Sequence, residues 1–89
     1  MHTVELDIIN TLGLHARAAA KLVALASGFQ ADIELKTATK SANGKSIMGV
    51  MMLAASQGTR LTLCADGADE HAAVQALSDL INNRFDEPQ

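Results

Sequence analysis

His15 and Arg17 stand two positions apart in Leu12-Gly13-Leu14-His15-Ala16-Arg17, where a loop passes into a helix. A helix start favours Ser, Thr, Asp or Asn as its cap and acidic residues in its first turn. Here an imidazole occupies the cap region, and a guanidinium adds positive charge where the helix dipole already supplies it. Local rules that fail together are expected at functional sites. The outcome is free backbone N–H groups at Ala16 and Arg17, a guanidinium and an imidazole around one point. That is an anion site holding a nucleophile. Free imidazole is substantially neutral at pH 7, so a ring nitrogen can attack phosphorus without a separate base. The helix N-terminus and Arg17 would stabilise charge on a transferred phosphoryl group. Gly13 would let the preceding loop turn tightly and keep bulk away from the ring. Spacing alone leaves open a plain surface histidine beside an arginine.

A second stretch, Gly44-Lys45-Ser46, resembles the end of a P-loop but lacks its earlier glycine, whose place is taken by Thr39. Ser46 reads as the N-cap of a short helix. Ile47, Met48, Met51 and Met52 put more soft apolar surface on that helix than it can bury. Val50 and Leu53 are candidates for its core side, and Ile47 and Met48 for an exposed, adaptable contact surface. His2 and His71 have no neighbouring ligand set and receive no role. Cys64 stands alone, so neither a disulfide nor a cysteine-built metal site is expected; it reads as a half-exposed strand residue.

These groups need elements to position them. Val4, Leu6 and Ile8 alternate with acids as in a half-buried strand. The loop Asn10–Gly13 follows, then a helix from Ala16 to Ser27 with Ala19, Leu22, Val23 and Ala26 on one face. Gly28 and Phe29 suggest a Schellman ending. A strand follows at residues 31–36, then a turn and a short edge strand within 37–43. A short helix over 46–54 precedes a strand around Leu61, Leu63 and Ala65. A last helix carries the stripe Ala73, Val74, Leu77, Leu80 and Ile81 to about Phe85, with a polar tail beyond. The order is β-α-β-β-α-β-α. A sheet covered on one side by helices, with its other face open to water, satisfies that order. Glu5, Asp7, Asp32, Glu34, Thr62 and Cys64 would lie on the open face.

Composition narrows the function further. The 89 residues suit one domain spanning the chain, with no second lobe around a large pocket. Two phenylalanines are the only aromatics besides histidine, which leaves no stacking platform for bases. The net charge of −3 also argues against nucleic-acid binding. Residues 15–53 carry five cations against two acids, a local +3 within an acidic chain. Arg17, Lys21, Lys36, Lys40 and Lys45 would thus form a basic docking face for an acidic protein partner. No membrane span or signal peptide is expected, and a cytoplasmic location follows.

Gly13-Leu14-His15-Ala16-Arg17-Ala18 closely resembles the active-site signature of the HPr family, the histidine phosphocarriers of the bacterial phosphoenolpyruvate-dependent phosphotransferase system. Gly44-Lys45-Ser46-Ile47-Met48-Gly49-Val50-Met51-Met52-Leu53 resembles a second segment of that family. Ala18 departs from the proline usual there, which would loosen the helix start slightly. The resemblance implies phosphorylation of His15 on Nδ1 by phospho-enzyme I and onward transfer to enzyme IIA domains, with Arg17 holding the phosphate. It implies that family's fold, an α+β open-faced β-sandwich with a four-stranded antiparallel sheet and three helices on one face. It also implies a carrier rather than a self-sufficient enzyme; no cofactor and no metal are expected. It makes Ser46 a regulatory phosphorylation site for an HPr kinase/phosphorylase. Ile47, Met48, Lys21 and Lys45 are then partner-docking residues on a monomer. The nitrogen-branch relative NPr is an alternative, favoured by Phe85-Asp86-Glu87. So is a non-catalytic binding module controlled by Ser46. A small hydrolase ranks last, for want of a second acid or base near His15.

Overall fold

Alternation of apolar and polar residues decides which face of the sheet is covered. The computed structural model describes residues 1–88. Its elements run β1 (His2–Asp7), α1 (Ala16–Ala26), β2 (Asp32–Lys36), β3 (Ser41–Asn43), α2 (Ile47–Met52), β4 (Arg60–Asp66) and α3 (Glu70–Asn82). The strands form one antiparallel sheet in the order β1-β4-β2-β3. Leu6 faces Leu61, Val4 faces Leu63, and Leu63 in turn faces Leu35. This register places the apolar residues of three strands on one side, because a one-residue slip would turn them all outward. They share a core with Leu22, Val23, Val50, Val74, Leu77 and Ile81 from the three helices. The other side carries Glu5 and Asp7, both bound to the Arg60 guanidinium at 2.9 and 2.7 Å. This is the expected α+β architecture. No helix among the described residues is long and apolar enough to cross a membrane.

Several local expectations need correction. β1 starts at His2, and Ile8 leaves the ladder to bond the Thr59 carbonyl while its side chain is buried. Cys64 is buried rather than half-exposed; the Thr3 hydroxyl donates to its Sγ at 3.5 Å. Gly28 has no left-handed φ, so α1 does not end in a Schellman motif. It tightens instead, with Gly28 N–H bonding Leu25 O and Phe29 N–H bonding Ala26 O, both at 3.1 Å. The second helix is shorter than the span 46–54, because Ala54 turns left-handed after Leu53.

The largest difference is at the C-terminus. α3 stops at Asn82, and Arg84, Phe85 and Asp86 take φ values of 56, 53 and 63°. Three successive left-handed residues cost about 1–2 kcal/mol each. The turn is closed by Asp86 N–H to Asn83 O and Glu87 N–H to Arg84 O, at 3.0 and 2.9 Å. Its anchor is Phe85, which is fully buried. Burial of such a ring contributes about 1.5–3 kcal/mol, only part of that cost. The Lys21 bond to Phe85 O and the Asn10 bond to Glu87 also hold the turn, so tertiary contacts rather than local preference set this geometry. Reversal of the chain here carries Glu87 and Pro88 back to the start of α1.

Candidate functional site

His15 is the N-cap residue of α1, extended at φ −75° and ψ 178°. Its Nδ1 accepts the Arg17 N–H at 3.3 Å, and its carbonyl accepts the Ala19 N–H at 2.8 Å. A histidine thus does the work of the usual serine or aspartate. No acid stands in the first turn to balance the dipole. The N–H of Arg17 is therefore not free, as expected from sequence, but holds the imidazole. Ala16 and the Arg17 side chain are exposed around it.

The loop before the helix is built to bring the ring there. Gly13 has φ +65°, and a Cβ at this position would lie 2.5 Å from the Ala55 carbonyl oxygen. Only glycine accepts both the conformation and the approach. Leu14 N–H then bonds Ala55 O at 2.9 Å, and the Leu14 side chain enters the core. Asn10 is fully buried, and its Nδ2 donates to Gly13 O at 2.8 Å.

The residue that sequence reasoning missed is Glu87. Its Oε2 pairs with Nε2 of His15, and its Oε1 accepts from Asn10 Nδ2 at 2.8 Å. The polar tail is thus part of the site, and the expectation of no second acid or base near His15 is wrong. Nδ1 accepts a backbone N–H and Nε2 faces a carboxylate, so the neutral ring carries its proton on Nε2. The Nδ1 lone pair points toward the helix N-terminus. Burial pushes the Glu87 carboxyl upward. Hydrogen bonds from Asn10 and His15, together with the positive charge of Arg17, outweigh that and bring it below the ordinary glutamate range. Arg17 and Glu87 also line a shallow groove with Thr11, Leu12 and Pro88. Phe85 interrupts an otherwise polar end of the sequence, the one sign there that the tail returns to the core.

The remaining candidates fall in two places. Lys21 Nζ donates to Phe85 O at 2.9 Å and lies 3.7 Å from Asp86, so it ties the C-terminal turn to α1. Lys45 Nζ donates to Phe29 O at 2.8 Å, past the end of α1. Ser46 caps α2, its Oγ accepting the Gly49 N–H at 3.1 Å. Beyond it Ile47 and Met48 are 48% and 73% exposed, while Val50 and Leu53 are buried. Met51 and Met52 are also exposed, at 44% and 67%, so none of the four large apolar residues Ile47, Met48, Met51 and Met52 is buried, and the core side of α2 is left to Val50 and Leu53.

The sequence model of the family described as the PTS HPr component phosphorylation site matches residues 2–83. The phosphocarrier protein HPr of Xylella fastidiosa strain Temecula1 is 59% identical over 83 residues, 93% of each chain. The crystal structure of an HPr from Thermoanaerobacter tengcongensis superposes with a TM-score of 0.96 at 46% identity, covering 100% of both chains. A crystal structure of an HPr dimer from the same organism matches at a TM-score of 0.78 and 47% identity, over 98% of this chain and 100% of that one.

Proposed function

This chain belongs to the HPr family of phosphocarriers of the phosphotransferase system, and from that premise we propose that Nδ1 of His15 is the atom that carries the phosphoryl group. The observation that carries the reading is the orientation of the ring, with Nδ1 unprotonated at the N-terminus of α1 and Nε2 on Glu87. An incoming phosphoryl group displaces the Arg17 N–H from Nδ1. That N–H, the dipole of α1 and the exposed Arg17 guanidinium then serve the phosphoryl oxygens. The domain has no room to bind and activate phosphoenolpyruvate itself, so a donor protein, enzyme I, supplies that machinery. Enzyme IIA domains accept the group in turn, all in the cytoplasm. The site is complete within one copy, which suits a single-domain carrier that works as a monomer.

Ile47 and Met48 supply an adaptable apolar contact for these partners, Lys45 supplies charge on the same segment, and Lys21 supplies it from α1. Ser46 is the control point. A phosphate on its hydroxyl would sit favourably at the N-terminus of α2 while adding about −1.5 to −2 charge to the docking surface. It would weaken docking to enzyme I without unfolding the helix. The kinase that acts there is an HPr kinase/phosphorylase.

The test incubates the protein with enzyme I and labelled phosphoenolpyruvate. One equivalent of acid-labile, alkali-stable label is expected, and none in His15→Ala. Label that survives this substitution contradicts the reading. ATP and an HPr kinase should give acid-stable label at Ser46, and its absence would leave Ser46 as a helix cap alone. Comparison of sugar-branch and nitrogen-branch enzyme IIA acceptors decides the pathway.

A further inference from the structure

We infer that Glu87 is a positioning residue for phosphoryl transfer, fixing the His15 ring with Nε2 protonated and facing the positive charge that the ring acquires. The inference rests on the reading of His15 as the phosphoryl acceptor. Glu87 lies beyond the matched residues 2–83.

Three observations point to it. First, the pair is shielded: the His15 and Glu87 side chains are 26% and 10% exposed, so water competes weakly for the contact. Second, the carboxylate is held at both oxygens. Oε2 meets Nε2 of His15, and Oε1 accepts from Asn10, whose other Nδ2 bond closes the loop through Gly13 O. The same buried amide thus locks Glu87 to the loop that delivers His15. Its two acceptors fix which end of the Asn10 amide is nitrogen, and its Oδ1 is left without a partner among the described residues. Third, the carboxylate reaches this place only through the left-handed turn Arg84–Asp86, anchored by buried Phe85 and by Lys21 on Phe85 O. A solvated tail has no need of such a conformation. Strained backbone that surrounding structure over-determines belongs with function.

The chemistry follows from the ring's two nitrogens. The Nδ1 lone pair forms a bond to phosphorus of the donor protein's phosphohistidine. The donor's P–N bond breaks, and its electron pair stays on the donor ring. The proton on Nε2 of His15 does not move, so the phosphorylated ring is cationic, and Glu87 faces that charge at Nε2. On delivery the N–P bond breaks, its electron pair returns to Nδ1, and the ring is neutral again. A carboxylate at Nε2 therefore fixes the tautomer before attack and offsets charge after it.

Glu87→Gln keeps an acceptor for Nε2–H and removes the charge; Glu87→Ala removes both. The experiment measures single-turnover label acceptance from phosphorylated enzyme I, the ¹⁵N shifts of the His15 ring, and thermal unfolding as a check that each variant is folded. Glu87→Gln should accept label roughly five- to tenfold more slowly, the difference between a charge-assisted and a neutral hydrogen bond, and Glu87→Ala more slowly still because it loses the whole bond. Ring nitrogens should keep the Nε2–H pattern in Glu87→Gln and move toward a tautomer mixture in Glu87→Ala. Acceptance at or above the native rate in both folded variants, with native nitrogen shifts, overturns the inference and leaves His15 as acceptor intact. Failure of the unsubstituted protein to label on His15 removes the premise itself.

Discussion

Glu87 meets the imidazole of His15 from 72 positions away, and one buried amide, that of Asn10, holds both the carboxylate and the loop that precedes the histidine. The site is therefore closed by the loop before α1 and by the segment that follows α3. Its geometry depends on packing remote from the ring, and several consequences can be measured.

Phe85→Ala should cost about 3–5 kcal/mol, the usual loss for a fully buried aromatic. It should also release the left-handed turn, so that the Glu87 contact is lost along with stability. Urea unfolding gives the first quantity. Loss of nuclear Overhauser contacts between Glu87 and His15 at low urea reports the second.

Gly13→Ala should be destabilising by about 1–3 kcal/mol for backbone conformation alone. The added methyl would meet the Ala55 carbonyl at 2.5 Å, so the Leu14–Ala55 hydrogen bond must shift as well. For a domain of this size, each kcal/mol lowers the melting temperature by about 4–8 °C. Calorimetry of the pair measures it directly.

Acid should open the tail before the fold is lost. Burial raises the Glu87 carboxyl, but its bonds to Asn10 and His15 and the charge of Arg17 prevail and depress it. A depressed folded value means that the contribution is complete above the unfolded glutamate value of about 4.3. It is lost as pH falls through the lower folded value. Asp69 behaves in the same sense, held down by the N–H groups of Gln30 and Ala31. Carboxyl ¹³C titration should give both groups midpoints below the ordinary range, and Asn10→Ala should move the Glu87 midpoint upward.

Ser46→Ala removes the acceptor for the Gly49 N–H and should cost about 0.5–2 kcal/mol. Met48→Ala, by contrast, truncates a side chain that is 73% exposed and should alter stability by no more than about 0.5 kcal/mol. The same substitution should weaken binding to enzyme I. Calorimetric binding and denaturant curves on the two variants separate the roles of cap and contact.

The sheet, the three helices and the cap positions of His15 and Ser46 were legible because each rests on a local pattern. Leu61, Leu63 and Ala65 alternate, Leu22 and Val23 recur with Ala19 and Ala26 at helical spacing, and Ser46 precedes an apolar run. Gly13 announced its tight turn by its type. The contribution of Glu87 was not legible, because no periodicity reaches it and its partners are 72 and 77 positions away. The helical stripe of α3 likewise ran on to Phe85 on paper. The ring is buried, but by a backbone that turns left-handed and not by a continued helix. Cys64 read as half-exposed by strand parity, yet it lies on β4 between β1 and β2, where neighbours on both sides cover so small a side chain.

The central claim is that Nδ1 of His15 receives the phosphoryl group while Nε2 keeps its proton on Glu87. The most direct measurement is ¹⁵N and ³¹P NMR of the ring-labelled protein after phosphorylation by enzyme I and phosphoenolpyruvate. Phosphorus should couple to Nδ1, and Nε2 should retain a bound proton. Phosphorus coupled to Nε2, or phosphate found on another residue, would contradict the account.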